Sequence, residues 1–401
     1  MPPFDRGALA RFLADAGGAD RVEIGEPALL PGGAINENWG FPAQFAGGPL
    51  DGAHDLVLRT DAPTGIASSL GRIEEFAVVR AAQAAGVTVP EPLWACADPA
   101  VIGKPFFVMR RIAGSAQGRI ITSDPVLEPA LPDIARQLGR ELARLQTICP
   151  PRADLGFLPM IDPDEHIASF RAYLDRHPQP RPVLEWAIRW LEQHIPEPLP
   201  PVLCHRDFRT GNYMLVIGPG GAELTGILDW EFASWGDPDE DIGWLCCKGW
   251  RFARLDRELG GIADRAPFYE AYERAAGRRP DPRRVFFWEV LANVRWAVIA
   301  LQQSDRYLVG GARDLSTAII GRRAGECELE LLLLLDPHGA PPAEARRAEA
   351  DAADGLRDLP TGADLLALGR ELLRDELLPL LPPERRRAAR LVATAMAIAR
   401  R

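Results

Sequence analysis

The spacing of hydrophobic residues predicts a sheet-rich first part of the chain. Residues 4–16 place apolar side chains on one face of a short helix that ends at two glycines. From Val22 to Thr60, short β-type runs alternate with glycine-rich turns, which predicts an antiparallel sheet. A helix is predicted over 72–86, and the segments 87–96 and 105–112 then return to a strand pattern.

Beyond residue 113 the pattern becomes mostly helical, with short apolar strands near 201–205, 212–217 and 224–230. The predicted fold class is therefore α+β, with a small sheet-rich part followed by a larger helical part. Near the C-terminus a Pro/Ala/Arg-rich stretch precedes two helical runs, which indicates a linker and a small appended helical unit.

This pattern predicts three domains: a sheet-rich lobe over 1–112, a helical lobe over 113–335, and a linker with a small helical domain over 336–401. A chain of 401 residues is too long for one ordinary core. We expect the C-terminal helices to serve docking or homodimerisation.

Composition and charge exclude several classes of protein. The formal net charge is −10, with 46 basic and 56 acidic residues, which argues against a general affinity for nucleic acid. The six cysteines show no C-x-x-C pair and the six histidines no H-x-x-x-H spacing, so no zinc site is predicted. The N-terminus does not fit a secretory signal and no run approaches 18 uninterrupted apolar residues. We therefore expect a cytoplasmic protein without a membrane span.

The segment PVLCHRDFRTGNYMLV has two apolar runs around a polar loop that holds His205, Asp207 and Asn212. Asp229 follows near the end of the apolar run LTGILDW. Phosphoryl transfer needs one carboxylate to deprotonate the attacking hydroxyl, and amide and carboxylate oxygens to hold Mg²⁺ on the phosphates. Asp207, Asn212 and Asp229 match these roles in that order. Each residue taken alone also fits an ordinary role in a turn or a core.

The sequence HRDFRTGN has the H-R-D-x-x-x-x-N form of a protein-kinase catalytic loop, and Asp229 stands where the D-F-G aspartate would be. The D-W-E at this place and the following FASWGDPDEDIGWL resemble the aminoglycoside phosphotransferase and choline kinase group, over roughly residues 20–320. The resemblance implies a bilobal protein-kinase-like fold, with a small antiparallel-sheet N-lobe and a larger helical C-lobe. It also implies that the lobe over 1–112 binds the nucleotide and that the lobe over 113–335 carries the catalytic residues and the acceptor site.

This resemblance also implies an activity and assigns roles to residues. It implies transfer of the γ-phosphate of ATP or GTP, with Mg²⁺, to a hydroxyl of a small substrate. Asp207 would be the catalytic base, and Asn212 and Asp229 would bind Mg²⁺. His205 is grouped with the catalytic residues as the side chain that braces the loop.

In the first lobe, the loop LLPGGAINENWGF stands where a kinase-like fold covers the phosphates. Gly33 would let backbone N–H groups approach the phosphate oxygens, and Asn36 or Asn38 would contact them. Two adjacent glycines also fit a simple hairpin turn.

Arg59 fills the position of the phosphate-pairing lysine of kinases, and Glu75 would be its helical partner. A surface ion pair that contributes little to stability is the alternative for these two residues. Met109 lies in the strand that would join the lobes, where backbone groups of residues 108–110 would meet an adenine edge; the apolar residues of this strand also fit a core.

Residues that follow Asp229 are candidates for binding the acceptor. These are Glu231, Trp235, Asp237, Asp239, Glu240, Asp241 and Trp244. An acidic run of this kind would suit a polyamine or an aminoglycoside. The D-P-x-x-D turn instead predicts that Asp241 caps a helix.

A second acceptor class follows from a further resemblance. The stretch GILDWEFASWGDPDEDIGWL, with VRWAVIALQQ, is similar to the kinase-like domain fused to some acyl-CoA dehydrogenases. That similarity implies a hydroxyacyl-CoA acceptor, with Arg295 or Arg206 meeting its anionic groups.

Two other functions are consistent with the same motifs. A nucleotide-binding pseudokinase that acts as a regulatory module is suggested by Arg59 in place of lysine, although Asp207, Asn212 and Asp229 are intact. Phosphorylation of a protein side chain is disfavoured, since the chain has D-W-E and lacks an A-P-E segment.

Overall fold

The computed structural model describes residues 4–30, 36–62, 69–218, 221–252, 254–311, 315–337 and 359–399. The chain divides into two compact units, each made of segments that are distant in sequence. The first contains Met1–Asp162 and Pro196–Trp288, and the second contains Pro163–Ile195 and Glu289–Arg401. These units are defined by compactness, and the functional division at residues 112 and 335 stays a prediction.

The first unit begins with a six-stranded antiparallel sheet. Its strands are β1 (Arg21–Ile24), β2 (Ala28–Leu29), β3 (Asn36–Ala46), β4 (Gly52–Asp61), β5 (Pro92–Cys96) and β6 (Phe106–Arg110). The order is β1-β3-β4-β6-β5, with β2 paired to β3. The long strands β3 and β4 run in register from Asn36 opposite Asp61 to Phe45 opposite Gly52. The antiparallel sheet predicted from the sequence is confirmed.

Three helices accompany this sheet: α1 (Arg6–Gly17), α2 (Arg72–Ala84) and α3 (Pro99–Ile102). Helix α1 packs Leu9 and Leu13 into a core with Phe41 and Phe45 of β3. It ends at Gly18, whose φ of 63° is the left-handed conformation that glycine adopts without strain. Both α1 and α2 lie where the hydrophobic pattern predicted them.

The rest of the chain is mostly helical. The remaining helices are α4 (Gly118–Ser123), α5 (Leu131–Leu145), α6 (Pro163–Leu174), α7 (Pro182–Gln193), α8 (Glu240–Cys246), α9 (Arg265–Ala276), α10 (Pro282–Leu308), α11 (Leu315–Gly321), α12 (Ala324–Leu335), α13 (Gly362–Glu371), α14 (Leu378–Leu380) and α15 (Pro383–Ala399). A sheet followed by a helical part is the α+β class that the sequence predicted.

Four short strands interrupt the helices of the first unit: β7 (Val202–Cys204), β8 (Tyr213–Gly218), β9 (Gly221–Ile227) and β10 (Ser234–Gly236). Strand β8 pairs with β9, and β7 pairs with β10, both antiparallel. The first three match the predicted apolar runs. The loops that follow β7 and β9 carry the candidate chemistry.

One hydrophobic core runs through the first unit and holds these loops. It joins α2 and α5 to the short strands and to α8 and α9. Helices α5 and α9 approach closely at Gly139, where a Cβ would lie 2.6 Å from the carbonyl oxygen of Phe268. A larger residue there would force the two helices apart.

The second unit is helical throughout the part of it that is described. Tyr173 of α6 donates a hydrogen bond of 2.6 Å to Asp305 of α10. Helix α13 begins with a capping box, in which Thr361 and Asp364 satisfy each other's backbone N–H groups. A π-helical segment, Leu372–Leu377, and α14 separate α13 from α15. The two C-terminal helical runs predicted from sequence are present.

Among the described residues, α10 alone is long and apolar enough to cross a membrane by length and composition. Within its most apolar 18-residue window, 72% is buried inside the structure. A core helix of a soluble protein meets the same criterion, so this helix is weak support for a membrane span.

Candidate active site

The loop between β7 and β8 carries three of the predicted residues. It begins at His205, directly after β7, and ends at Asn212, directly before β8. Arg206 has a φ of 62°. A left-handed conformation is uncommon for a residue with a side chain and persists only where surrounding contacts enforce it.

His205 is fully buried and braces this loop. Its Nε2 lies 2.9 Å from the carbonyl oxygen of Leu228, and its Nδ1 accepts a 3.2 Å hydrogen bond from the backbone N–H of Asp207. Burial lowers the pKa of His205 to about 4, against the opposing charge of Asp207. The ring is therefore neutral near pH 7, with its proton on Nε2. It positions the loop as a neutral ring.

Asp207 has both carboxylate oxygens in hydrogen bonds and remains 15% exposed. Its Oδ1 accepts from the indole Nε1 of Trp244 at 2.8 Å and from Nε of Arg209 at 3.0 Å. Its Oδ2 accepts from Nδ2 of Asn212 at 2.5 Å. Sequence reasoning placed Trp244 among the acceptor candidates and gave no role to Arg209. The only signal for Arg209 was its position two residues after Asp207.

Asp229 follows β9 and is tied to the same loop through the main chain. The backbone N–H of Leu228 donates to the carbonyl oxygen of Asn212 at 2.8 Å. Asp229 has a φ of 62°, and its side chain is 28% exposed. Its Oδ1 accepts from Nη1 of Arg59 at 2.8 Å. The structure thus brings Asp207, Asn212 and Asp229 together, as their predicted roles require.

Arg59 is buried among carboxylates. It lies on β4 and binds Glu75 of α2 through Nε at 3.1 Å and Nη2 at 3.0 Å, and it binds Glu231 at 3.0 Å. Burial alone would lower the pKa of Arg59, but Glu75, Asp229 and Glu231 outweigh it and raise this pKa. The predicted pair of Arg59 with Glu75 is confirmed, and the alternative of a surface pair is wrong. A buried pair that loses one partner is strongly destabilising.

Three of the residues predicted to bind the acceptor are buried in the structure. Glu231 faces Arg59, and burial raises the pKa of this glutamate above its usual range. Trp235 is buried on β10, opposite Leu203 of β7. Asp239 is fully buried and accepts from Arg278 at 2.8 Å and from Arg284 at 2.9 Å. These residues lie in buried pairs and packing, which corrects the expectation that they face an acceptor.

Asp241 has a different contact from the predicted helix cap. Its carboxylate accepts from the backbone N–H groups of His205 and Arg206, both at 2.7 Å. A residue in the first turn of α8 therefore holds the catalytic loop. Arg295 lies half-buried on α10 in the second compact unit.

Gly33, Asn36 and Met109 are among the residues predicted to contact the nucleotide. Gly33 lies outside the described residues. Asn36 is buried at the start of β3, and its Nδ2 has no hydrogen-bond partner within the described part of the chain. Met109 lies on β6 between β4 and β5, so its backbone faces neighbouring strands.

The oxygen atoms of the site fit Mg²⁺. No described residue donates a hydrogen bond to Oδ1 of Asn212 or to Oδ2 of Asp229. Amide and carboxylate oxygens are ligands that Mg²⁺ accepts, and it binds proteins through one or two of them together with phosphate oxygens. The described residues contain no group of three or more His, Cys, Asp and Glu side chains that could hold a metal ion.

A family model for the phosphotransferase enzyme family matches residues 31–288, which is more than half of the chain. The chain belongs to this family. The phosphotransferase match spans Arg59, Glu75 and the site formed by Asp207, Asn212 and Asp229, and it ends before Arg295. The resemblance inferred from the catalytic-loop motif is confirmed.

Two curated relatives carry acyl-CoA dehydrogenase names. Acyl-CoA dehydrogenase family member 10 of Mus musculus is 32% identical over 200 residues, covering 48% of this chain and 18% of that protein. Acyl-CoA dehydrogenase family member 11 of Gallus gallus is 27% identical over 260 residues, covering 60% of this chain and 30% of that protein. The phosphotransferase chain therefore spans less than a third of each of these two relatives.

Solved structures share the fold of this phosphotransferase. A structure from Ralstonia eutropha assigned as an aminoglycoside phosphotransferase matches with a TM-score of 0.64 at 23% identity, covering 82% of this chain and 98% of that one. The GDP complex of aminoglycoside 2'-phosphotransferase-IIIa matches with a TM-score of 0.53 at 15% identity, covering 80% and 97%. At these identities the likeness shows the kinase-like fold, which confirms the predicted fold class.

Proposed function

We propose that the protein is a Mg²⁺-dependent, cytoplasmic phosphotransferase that moves the γ-phosphate of ATP or GTP to a hydroxyl of a small molecule. The observation that carries the proposal is the meeting of Asp207, Asn212 and Asp229 on two loops held by one core. Membership of the phosphotransferase family supports the same chemistry. Six cysteines that form no disulfide within the described part of the chain, five of them buried, support the cytoplasmic location.

In the proposed reaction, the carboxylate of Asp207 accepts the proton of the acceptor hydroxyl. The hydroxyl oxygen forms a bond to the terminal phosphorus while the bond from that phosphorus to the bridging oxygen breaks, and a nucleoside diphosphate leaves. Asn212 and Asp229 would hold Mg²⁺, which neutralises charge on the phosphates when bound. Arg59 supports this arrangement by binding Asp229.

A hydroxyacyl-CoA is the acceptor class that we favour over an aminoglycoside. Two of the acidic residues that could have bound the amino groups of a polyamine are already in ion pairs with arginines. Glu231 binds Arg59, and Asp239 binds Arg278 and Arg284. The acyl-CoA dehydrogenase names of the two relatives support the same class.

The test is transfer of labelled γ-phosphate from ATP or GTP to two sets of acceptors, hydroxyacyl-CoA thioesters and aminoglycosides. The wild type should label a hydroxyacyl-CoA, and Asp207→Asn should reduce that rate by at least about 100-fold because the base is lost. Asp133→Asn is the matched control, since Asp133 is an exposed aspartate on α5 that pairs with Arg136. It should retain the wild-type rate.

Each other outcome has a defined meaning. Labelling of aminoglycosides alone would contradict the acceptor class and keep the phosphotransferase. Tight nucleotide binding without transfer to any acceptor would favour a regulatory pseudokinase. Absence of nucleotide binding would contradict both functions.

A further inference from the structure

The two hydrogen bonds to Oδ1 of Asp207 come from side chains that are themselves fixed. Trp244 lies on α8 and is buried, and its indole N–H donates at 2.8 Å. Arg209 lies on the catalytic loop and donates from Nε at 3.0 Å. One carboxylate oxygen therefore receives two N–H donors, while the other receives the amide of Asn212.

A second set of contacts joins these two donors. The guanidinium of Arg209 lies 4.3 Å from the ring centroid of Trp250. The ring of Trp250 lies 5.1 Å from that of Trp244. These contacts form a ring of four side chains in which each contacts the next: Asp207, Arg209, Trp250 and Trp244. We term this ring the carboxylate clamp. Stacking restricts the rotation of Arg209, so less rotamer freedom is lost when it binds the carboxylate.

Residues of helix α8 form hydrogen bonds both to the backbone of the catalytic loop and to the side chain of Asp207. Asp241 accepts the N–H groups of His205 and Arg206, and Trp244 comes three residues later. Residues at this spacing lie on the same side of a helix. One helix thereby sets the position of the loop and the orientation of the carboxylate that the loop carries.

We infer that Trp244, supported by Trp250 and Arg209, is a positioning residue that fixes Oδ1 of Asp207 and leaves Oδ2 to accept the proton of the acceptor hydroxyl. A carboxylate oxygen has about two lone-pair sites, so Oδ2 keeps one after binding Asn212. Without the clamp, rotation of the carboxylate would spread its lone pairs over many directions. Fixing a reacting group within narrow limits of position is a large part of enzyme catalysis. The inference rests on the proposed phosphotransferase function.

Trp244→Phe tests the inference because it keeps an aromatic ring in place and removes the indole N–H. Its matched control is Trp288→Phe. Trp288 is also buried, and its indole N–H donates to a carboxylate oxygen of Asp237 at 3.1 Å. The two substitutions remove the same kind of hydrogen bond, but only one of the carboxylates is Asp207.

The expected result is a loss of kcat with nearly unchanged KM and with no greater loss of stability than in the control. Trp244→Phe should lower kcat by about 10- to 100-fold, with KM for nucleotide and acceptor within about 2-fold of wild type. Trp288→Phe should leave kcat within about 2-fold, and both variants should show similar losses in Tm. Trp250→Leu removes the ring beneath Arg209 and should lower kcat by about 3- to 30-fold, which keeps the inference testable should Trp244→Phe not fold.

Two failures are distinguishable. Equal kcat in wild type and Trp244→Phe, or equal losses of kcat in Trp244→Phe and Trp288→Phe, would overturn the positioning role and leave the phosphotransferase intact. A wild type that transfers no phosphate to any acceptor would overturn the proposed function and this inference with it.

Discussion

At the residue scale, the imidazole of His205 is enclosed between the carbonyl of Leu228 and the backbone N–H of Asp207. A neutral ring satisfies both partners, since one nitrogen donates and the other accepts. Protonation would place a charge in a fully buried site, and this loss of solvation is the main reason that the pKa of His205 falls to about 4, although the charge of Asp207 opposes the shift.

This shift predicts a dependence of stability on pH. The folded-state pKa of about 4 lies below the unfolded value of 6.5, so the unfolded chain binds more protons between these values. The contribution of His205 should be fully present above pH 6.5 and lost as pH falls through 4, by about 3 kcal/mol in all. Denaturant unfolding of wild type and His205→Asn from pH 7 to pH 4 measures it. The variant should lose less stability over this range, and identical pH dependences would contradict the account.

Sequence reasoning predicted the three residues that the structure brings together on two loops, and missed contacts that come from packing. Asp207, Asn212 and Asp229 could be identified because their spacing and flanking strands form a motif. The hydrogen bond of Trp244 to Asp207 joins residues 37 positions apart and depends on how α8 packs. The burial of Asp239 likewise depends on two arginines about 40 residues later.

At the element scale, α8 is a short helix in which every residue is buried. Its role as a brace was not predictable from the hydrophobic pattern, since D-P-x-x-D is the usual signature of a helix cap. The fold of the sheet and the longer helices was predictable, because α1, α2 and the long strands follow from local periodicity. The short strand β10 was missed, since three residues give too little pattern.

We expect Asp241→Asn to destabilise the catalytic loop. One acceptor oxygen becomes an NH₂ group facing a backbone N–H, so a buried donor loses its partner, at a cost of about 2–4 kcal/mol. Amide hydrogen exchange at His205 and Arg206 should become faster in this variant, and the free energy of unfolding should fall. Glu223→Gln, an exposed substitution on β9, serves as the control. Unchanged exchange at both amides would show that Asp241 does not hold the loop.

At the scale of the whole molecule, two compact units are each assembled from segments far apart in sequence. Composition and local pattern predicted an α+β chain with a C-terminal helical part. They did not reveal that residues 163–195 join 289–401, because long-range packing leaves no local signal. Within the first unit, one core carries the two loops of the site, so the chemistry depends on the integrity of that core.

The most direct test of the account is the Mg²⁺ dependence of phosphate transfer by wild type and Asp229→Asn. Transfer rates to the accepted substrate would be measured over a range of free Mg²⁺, with a chelator as the zero point. We predict no transfer without Mg²⁺, and a Mg²⁺ requirement at least about 10-fold higher in the variant, because a charged ligand has been replaced by a neutral one. Transfer in the presence of chelator, or identical Mg²⁺ dependence in both proteins, would contradict the assignment of Asp229 and of the metal site.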